Sequence, residues 1–312
     1  MLFFKEELKV IPNKTKPRYR YRNWEISGHI VMTVSAVLAI APFLLLIVSS
    51  FTDEKVAISN GYSFFPEKFS LAAYRYILTQ WEMIGRAYGV TMFVTVIGTL
   101  AGVTMAGMLG YTLSKKDLPG RSLLLFIVAF VMFFNGGLTA TYIIYTRIFH
   151  VKNTIFGLLL PNLLMNGYYV MMFRNYFENH VPKELIESAK IDGASESTTF
   201  FRIVVPVSMP MMVTIGMIVG LMYWNDWING LYYLDLKSKL QPIQVILNNI
   251  NENIRFLQNQ DLATSSKLGY VELPSATVRM AIAVVGVLPL LCAFPFIQKW
   301  FVRGITEGAL KG

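Results

Sequence analysis

The chain has 312 residues, 54% hydrophobic and only 15% charged, with a formal net charge of +9. Soluble domains carry roughly 25% charged residues, so this composition excludes an ordinary water-soluble globule. The single cysteine, Cys292, excludes an intrachain disulfide and a thiolate metal cluster.

Residues 1–27 are basic and aromatic, with Lys14, Lys16, Arg18, Arg20 and Arg22 interleaved with Tyr19, Tyr21 and Trp24. Placed directly before an apolar run, they read as an anchor on anionic lipid, not as a nucleic-acid site. Six apolar runs follow: Gly28–Phe51, Ala87–Leu113, Leu123–Tyr145, Ile155–Tyr176, Val207–Leu234 and Ala276–Ile297. About 20 residues cross a roughly 30 Å hydrocarbon core as a helix, and lipid leaves only helices or closed barrels. Continuous runs without strand alternation select helices, so the expected fold is an all-α membrane protein of six transmembrane helices, residues 28–299. With both termini inside, the inner segments hold 17 of the 28 Lys/Arg and the outer ones 10, with Arg279 just within the last run. That bias places both termini in the cytoplasm of a multi-pass cell-membrane protein.

Between the runs, Leu71, Tyr74, Ile77 and Leu78 predict a short interfacial helix in the outer loop 52–86. In the second run Gly98, Gly102, Ala106 and Gly110 recur every four residues, a spacing that permits close helix approach. Pro119-Gly120 signals a tight inner turn. Residues 235–275 form a long polar outer loop with Asn248, Asn249, Asn251, Asn253 and Asn259; it reads as a receiving surface for an external protein or as a loose cover. Arg279, one turn into the last run, is expected to snorkel to the outer surface.

Several chemistries have no residues to carry them. There is no Gly-rich P-loop, no His-Glu-x-x-His and no serine elbow, and His29, His150 and His180 are scattered. Neither catalysis nor a metal site is expected.

The segment Glu187–Pro206, ESAKIDGASESTTFFRIVVP, is different in kind. Pro182 suits the start of a helix, Glu184 and Glu187 favour its positive end, and Asp192-Gly193 breaks it. A second short helix then returns with Phe200, Phe201 and Ile203 toward the membrane domain, up to Pro206. Such a helix–turn–helix can lay one face in a partner's groove or rest on the interface as an amphipathic helix. Its spacing, Glu187-Ser188-Ala189, three residues, Gly193, nine residues, Ile203, two residues, Pro206, resembles the EAA loop of bacterial ABC-importer permeases. Ser188 departs from the usual alanine and is small enough to pack alike. Phe134-Asn135-Gly136-Gly137, Pro182-Lys183-Glu184-Leu185, Tyr223-Trp224-Asn225-Asp226-Trp227 and the ending Gly304–Gly312 are similar to the maltose-type carbohydrate permeases, within the branch for complex oligosaccharides and polysaccharide fragments. The likeness covers about residues 70–312.

That resemblance implies a type I importer permease fold with a cytoplasmic coupling helix at about 182–206. It implies a heterodimer with a second permease chain, two ATPase subunits that bind ATP and Mg, an extracytoplasmic sugar-binding protein and an oligosaccharide cargo. Coupling falls to Glu184, Glu187, Ser188, Ala189, Asp192, Gly193, Ala194, Ile203 and Pro206. The tail 300–312, with Gly308, Ala309, Lys311 and Gly312, is implied to reach the ATPase interface. Asn225, Asn229 and Tyr232 follow i, i+4, i+7 beside Trp224, Asp226 and Trp227, and with Asn135 they suit a sugar path or an interfacial belt. The alternative class, a secondary transporter or channel working without ATP, wants buried ionisable groups, and Asp226 alone qualifies.

Overall fold

The computed structural model describes residues 18–134, 136–161, 164–259 and 276–309, with side chains at 24–134, 136–161, 164–252, 277–292 and 295. In chain order the helices are α1 (Arg18–Ser50), α2 (Glu54–Asn60), α3 (Ala72–Thr79), α4 (Trp81–Ser114), α5 (Arg121–Phe133) and α6 (Gly137–Ile143). A π-helical turn, Ile144–Ile148, extends α6. Then come α7 (Phe156–Leu159), α8 (Gly167–His180), α9 (Lys183–Ile191) and α10 (Glu196–Thr199). A second π-helical turn, Phe200–Val204, leads into α11 (Val205–Val207), α12 (Met209–Trp224), α13 (Ile228–Tyr233), α14 (Ile243–Asn259) and α15 (Ala276–Ala309).

Among the described residues, two helices have the length and apolarity of a straight span, Trp24–Ser50 of α1 and Trp81–Ser114 of α4. The sixth run lies within the continuous α15, whereas the third, fourth and fifth are interrupted. The third divides into α5 and α6, and the fourth into α7 and α8. The fifth is α12 and α13, separated at Asn225–Trp227, and Glu196–Val207 meets Met209–Trp224 at 87°. Six uninterrupted helices are therefore not what forms. Polar caps and glycines inside apolar runs stop helices without lowering mean hydropathy, as at Asn166, whose Oδ1 accepts from Tyr168 N at 2.9 Å to start α8.

The organising element is α4, 34 residues and therefore about 51 Å long at 1.5 Å per residue. Its small-residue row is buried and lets α8 and α12 pack directly on it. A Cβ at Gly110 would lie 2.7 Å from the Cβ of Phe173, and one at Gly98 would run into the ring of Tyr223, 2.6 Å from its Cε2. One apolar cluster joins α4, most of it toward its C-terminal end, to α8, α12 and Phe200; a second joins the N-terminal turns of α4 to α3, α14 and α15.

The outer pieces are tied by polar contacts. Asp53 caps α2 by accepting from Lys55 N and pairs with Lys68 at 3.1 Å. Glu54 accepts from Thr277 N at 2.9 Å and so caps α15 from across the fold. The predicted helix over residues 71–78 exists as α3, but Ala73 and Ile77 are its buried face while Leu71 and Leu78 are exposed. Within the supposed loop 235–275, residues 243–259 are helical, and Ile243, Ile246 and Leu247 are buried against α4 and α15. Gly120, with φ +74°, makes the turn predicted between the second and third runs.

Candidate functional site

The segment 182–206 folds as two short helices around a glycine turn. Pro182 precedes α9, and Asp192 and Gly193 end it. Gly193 N–H donates to Lys190 O at 3.1 Å and Ala194 N–H to Ala189 O at 2.9 Å, the paired bonds of a Schellman ending. Gly193 has φ +77°, a conformation that disfavours side chains. Ser195 then caps α10, its Oγ accepting from Thr198 N at 3.2 Å.

The two faces of this unit are chemically distinct. Ala189 is buried and Ile186 packs on the inner cluster. Glu184, Glu187, Ser188, Asp192 and Gly193 face out, beside Leu185 and Ile191, the latter 86% exposed. Ala194 and Ile203 are half-buried, and Pro206 is exposed. Of the expected inward aromatics, Phe200 is buried but Phe201 is half exposed. Val204 takes its place, because the π-helical turn shifts the inward positions by a residue.

Residues that the sequence did not single out bolt this unit to the membrane helices. Glu196 pairs with Lys115 at the end of α4, and Tyr111 Oη donates to Glu196 Oε2 at 3.1 Å. The hydrogen bond from Lys115 holds the Glu196 carboxyl below the usual glutamate range, against the opposing effect of burial. Lys115 Nζ also lies 4.4 Å from the centroid of the Tyr111 ring. Beside it, Glu178 near the end of α8 meets Arg174 at 2.9 Å, Arg121 at 3.2 Å and Lys116 at 3.7 Å. Arg121 Nε donates to Leu113 O at 2.9 Å. Arg121–Glu178 and Lys115–Glu196 join positions 57 and 81 residues apart, which no local pattern marks.

At the opposite end, the expected common face of Asn225, Asn229 and Tyr232 does not form, because the helix stops at Trp224 and restarts at Ile228. Asp226 is the cause: its Oδ1 accepts from Ile228 N and Asn229 N, both at 3.1 Å, and starts α13. Two of the residues expected on a path are structural members. Trp224, 3% exposed, donates from Nε1 to Gly286 O at 3.2 Å. Asn229, 4% exposed, donates from Nδ2 to Pro161 O at 2.9 Å. Asn225, Trp227 and Tyr232 are exposed and Asp226 is half-buried, so these four form the accessible rim. Gly308 and Ala309 belong to the last turn of α15, whereas Asn135, Lys311 and Gly312 lie outside the described residues.

Residues 20–307 match the model of the family described as binding-protein-dependent transport system inner membrane component. The chain belongs to that family. The match begins well before residue 70, so the basic N-terminal region falls partly within it. This is a transport permease subunit and not an enzyme; ATP hydrolysis belongs to partner ATPases. Among relatives, the polygalacturonan/rhamnogalacturonan transport system permease protein YtcP of Bacillus subtilis is 36% identical over 89% of this chain and 94% of its own length. The arabinooligosaccharides transport system permease protein AraQ of Halalkalibacterium halodurans is 26% identical over 89% of this chain and 93% of its own. A chain from the crystal structure of a bacterial ABC transporter involved in the import of the acidic polysaccharide alginate superposes with a TM-score of 0.77. It is 25% identical, over 92% of this chain and all of that one. The type I ABC permease fold follows.

Proposed function

We propose that this permease forms half of the inner-membrane path for an oligosaccharide or polysaccharide fragment, completed by a second permease chain. An extracytoplasmic binding protein delivers the cargo, and two ATPases, holding ATP and Mg, drive the cycle. The relatives that handle pectic, arabinan-derived and alginate chains support the carbohydrate class. Six crossings are assigned to α1, α4, α5 with α6, α7 with α8, α12 with α13, and α15, with both termini cytoplasmic.

The observation that carries the coupling assignment is the two-faced unit at 182–206. Its packed side is held against α4 and α8 by Phe200, Ile186 and the Lys115–Glu196 pair, while its other side presents Leu185 and Ile191 among carboxylates. An exposed apolar strip with charged neighbours is suited to a partner's groove. A push on that strip is passed to α4 and α8 through the buried packing of Phe200 and Ile186. ATP supplies the differential affinity between inward- and outward-facing states through the partner. The tail residues Gly308, Ala309, Lys311 and Gly312 are assigned to the ATPase interface, and the rim Asn225, Asp226, Trp227 and Tyr232, with Asn135, to the path; Trp224 and Asn229 support it from behind.

The test is ATP hydrolysis by the reconstituted complex, with its binding protein, across a panel of oligosaccharides. Stimulation by one glycan class is expected. An intact, basally active complex that responds to no sugar would overturn the carbohydrate cargo, and ATPases that never associate in mild detergent would overturn the docking assignment.

A further inference from the structure

The turn between α4 and α5, residues 115–120, does not stand clear of the coupling unit. It forms one wall of a cleft whose other wall is α9 and α10. The cleft has two chambers. One, of about 390 Å³, lies between Leu118 and Pro119 of the turn and Glu196 and Ser197 of α10, over a floor of Met108 and the buried Phe200. The other, of about 290 Å³, reaches from the turn to Ile186 and Glu187 of α9 and the end of α8. Lys115, Asp117 and Lys190 border both.

Charge selects the kind of occupant. In the larger chamber Lys115 and Lys190 are balanced by Asp117 and Glu196. In the smaller, Lys115, Lys116, Lys183 and Lys190 stand against Asp117, Glu178 and Glu187. Sites for phosphate or anionic lipid gather cations without interleaved carboxylates. Mixed signs match a protein surface that carries the opposite alternation. Two of these charges are also left for a partner. Lys115 is taken by Glu196 and Lys116 by Glu178. Asp117 and Lys190 are exposed, and among the described residues their side chains make no hydrogen bond or ion pair, Lys190 acting on Glu196 only through space. Position selects the partner. Lys190 directly precedes Ile191 of the exposed strip, so a protein seated on that strip is one residue from the cleft. An apolar floor beneath polar walls is what an anchor side chain fills at an interface.

We propose that the turn 115–120 is a second contact for the ATPase subunit, which places an apolar side chain in the larger chamber, a cation against Asp117 and a carboxylate against Lys190. The proposal rests on the coupling reading of 182–206 and enlarges it. The ATPase then grips the end of α4 directly, and not only through Glu196.

The test puts a photo-crosslinking residue at three places in the assembled importer: Ile191→p-benzoylphenylalanine on the strip, Pro119→p-benzoylphenylalanine on the turn, and Leu123→p-benzoylphenylalanine on the exposed apolar face of α5. Irradiation should join the first two to an ATPase subunit and the third to none. A second measurement leaves the shape of the turn alone. Titrated with ATPase subunits, the permease pair carrying Asp117→Lys should bind roughly tenfold more weakly than wild type, as like charges at an interface do, with Asp117→Asn in between. A Pro119 variant joined only to lipid or to the second permease, or wild-type affinity in Asp117→Lys, would overturn the second contact. Crosslinking from Ile191 without Pro119 would do the same and leave the coupling reading standing. Crosslinking from neither would overturn both.

Discussion

Gly193 separates the fold of the coupling unit from its docking. Its φ of +77° places any side chain in the left-handed region, at a cost of roughly 1–2 kcal/mol, least for Asn and Asp. A Cβ built there meets nothing within 4 Å, so there is no steric term to add. Gly193→Asn and Gly193→Asp should therefore lower the thermal midpoint slightly and to the same extent. At the proposed ATPase surface they differ, because an unpaired carboxylate buried against a partner costs several kcal/mol. A difference of about 3 kcal/mol is more than a hundredfold in affinity. Gly193→Asp should thus lose ATPase subunits on size exclusion and lose sugar-stimulated hydrolysis, while Gly193→Asn retains most of both. Equal coupling in the two variants would refute the assignment of this face to a partner. Unfolding in Gly193→Asp alone would refute the steric reasoning.

Two further outcomes follow from contacts of α4. Gly98→Ala gains up to about 1 kcal/mol of helix propensity, but its Cβ meets the buried Tyr223 ring, whose hydroxyl is held by Leu159 O at 2.8 Å. Overpacking of roughly 1–3 kcal/mol should win. A net loss of up to about 2 kcal/mol is expected, read as a lowered melting midpoint of the purified protein, and an unchanged or raised midpoint would remove the close-packing argument. For Glu196, the folded carboxyl titrates below its unfolded value. Its contribution is complete above the ordinary glutamate pKa and disappears as pH falls through the lowered one. Exposure keeps that contribution near 0.5 kcal/mol or less. The midpoint gap between wild type and Glu196→Gln should be constant at neutral pH and close in acid; a gap independent of pH would show that Lys115 does not act through the charge.

How much of this was legible depends on the range of the cause. The helix–Gly–helix of 182–206 is local, so Pro182, Asp192-Gly193 and Ser195 announce it. The small-residue row of α4 is also periodic and local. The break at 225–227 was legible too: Asp226 is a capping residue ahead of a helix, but read as part of a continuous apolar run it suggested a shared face instead. In α14 the repeat Ile243, Ile246, Leu247, Ile250 marks an amphipathic helix after Pro242, and the surrounding asparagines obscured it. Lys115–Glu196 and Arg121–Glu178 could not be found this way, since charge pairing across distant segments leaves no periodicity. Arg279 illustrates the same limit. Its depth in the run was visible and suggested snorkelling, whereas it is half-buried at a pocket whose opposite wall is made by α14.

These long-range contacts give α4 its part in the proposed cycle. At the inner end Tyr111 and Lys115 hold Glu196 of the coupling unit. At the outer end Tyr88 Oη donates to Val285 O of α15 at 2.5 Å, and Thr91 Oγ1 accepts from Ile243 N at 2.8 Å at the start of α14. The same two helices line a pocket with Gln244, Asn248 and Asn251 from α14 and Arg279 and Ile282 from α15. A continuous helix resists bending far more than loops do, so a displacement imposed through Glu196 reaches the helices that wall the pocket. On the proposed function, coupling and cargo release would need no separate relay, because the helix that the ATPase would load through Glu196 also packs on α14 and α15.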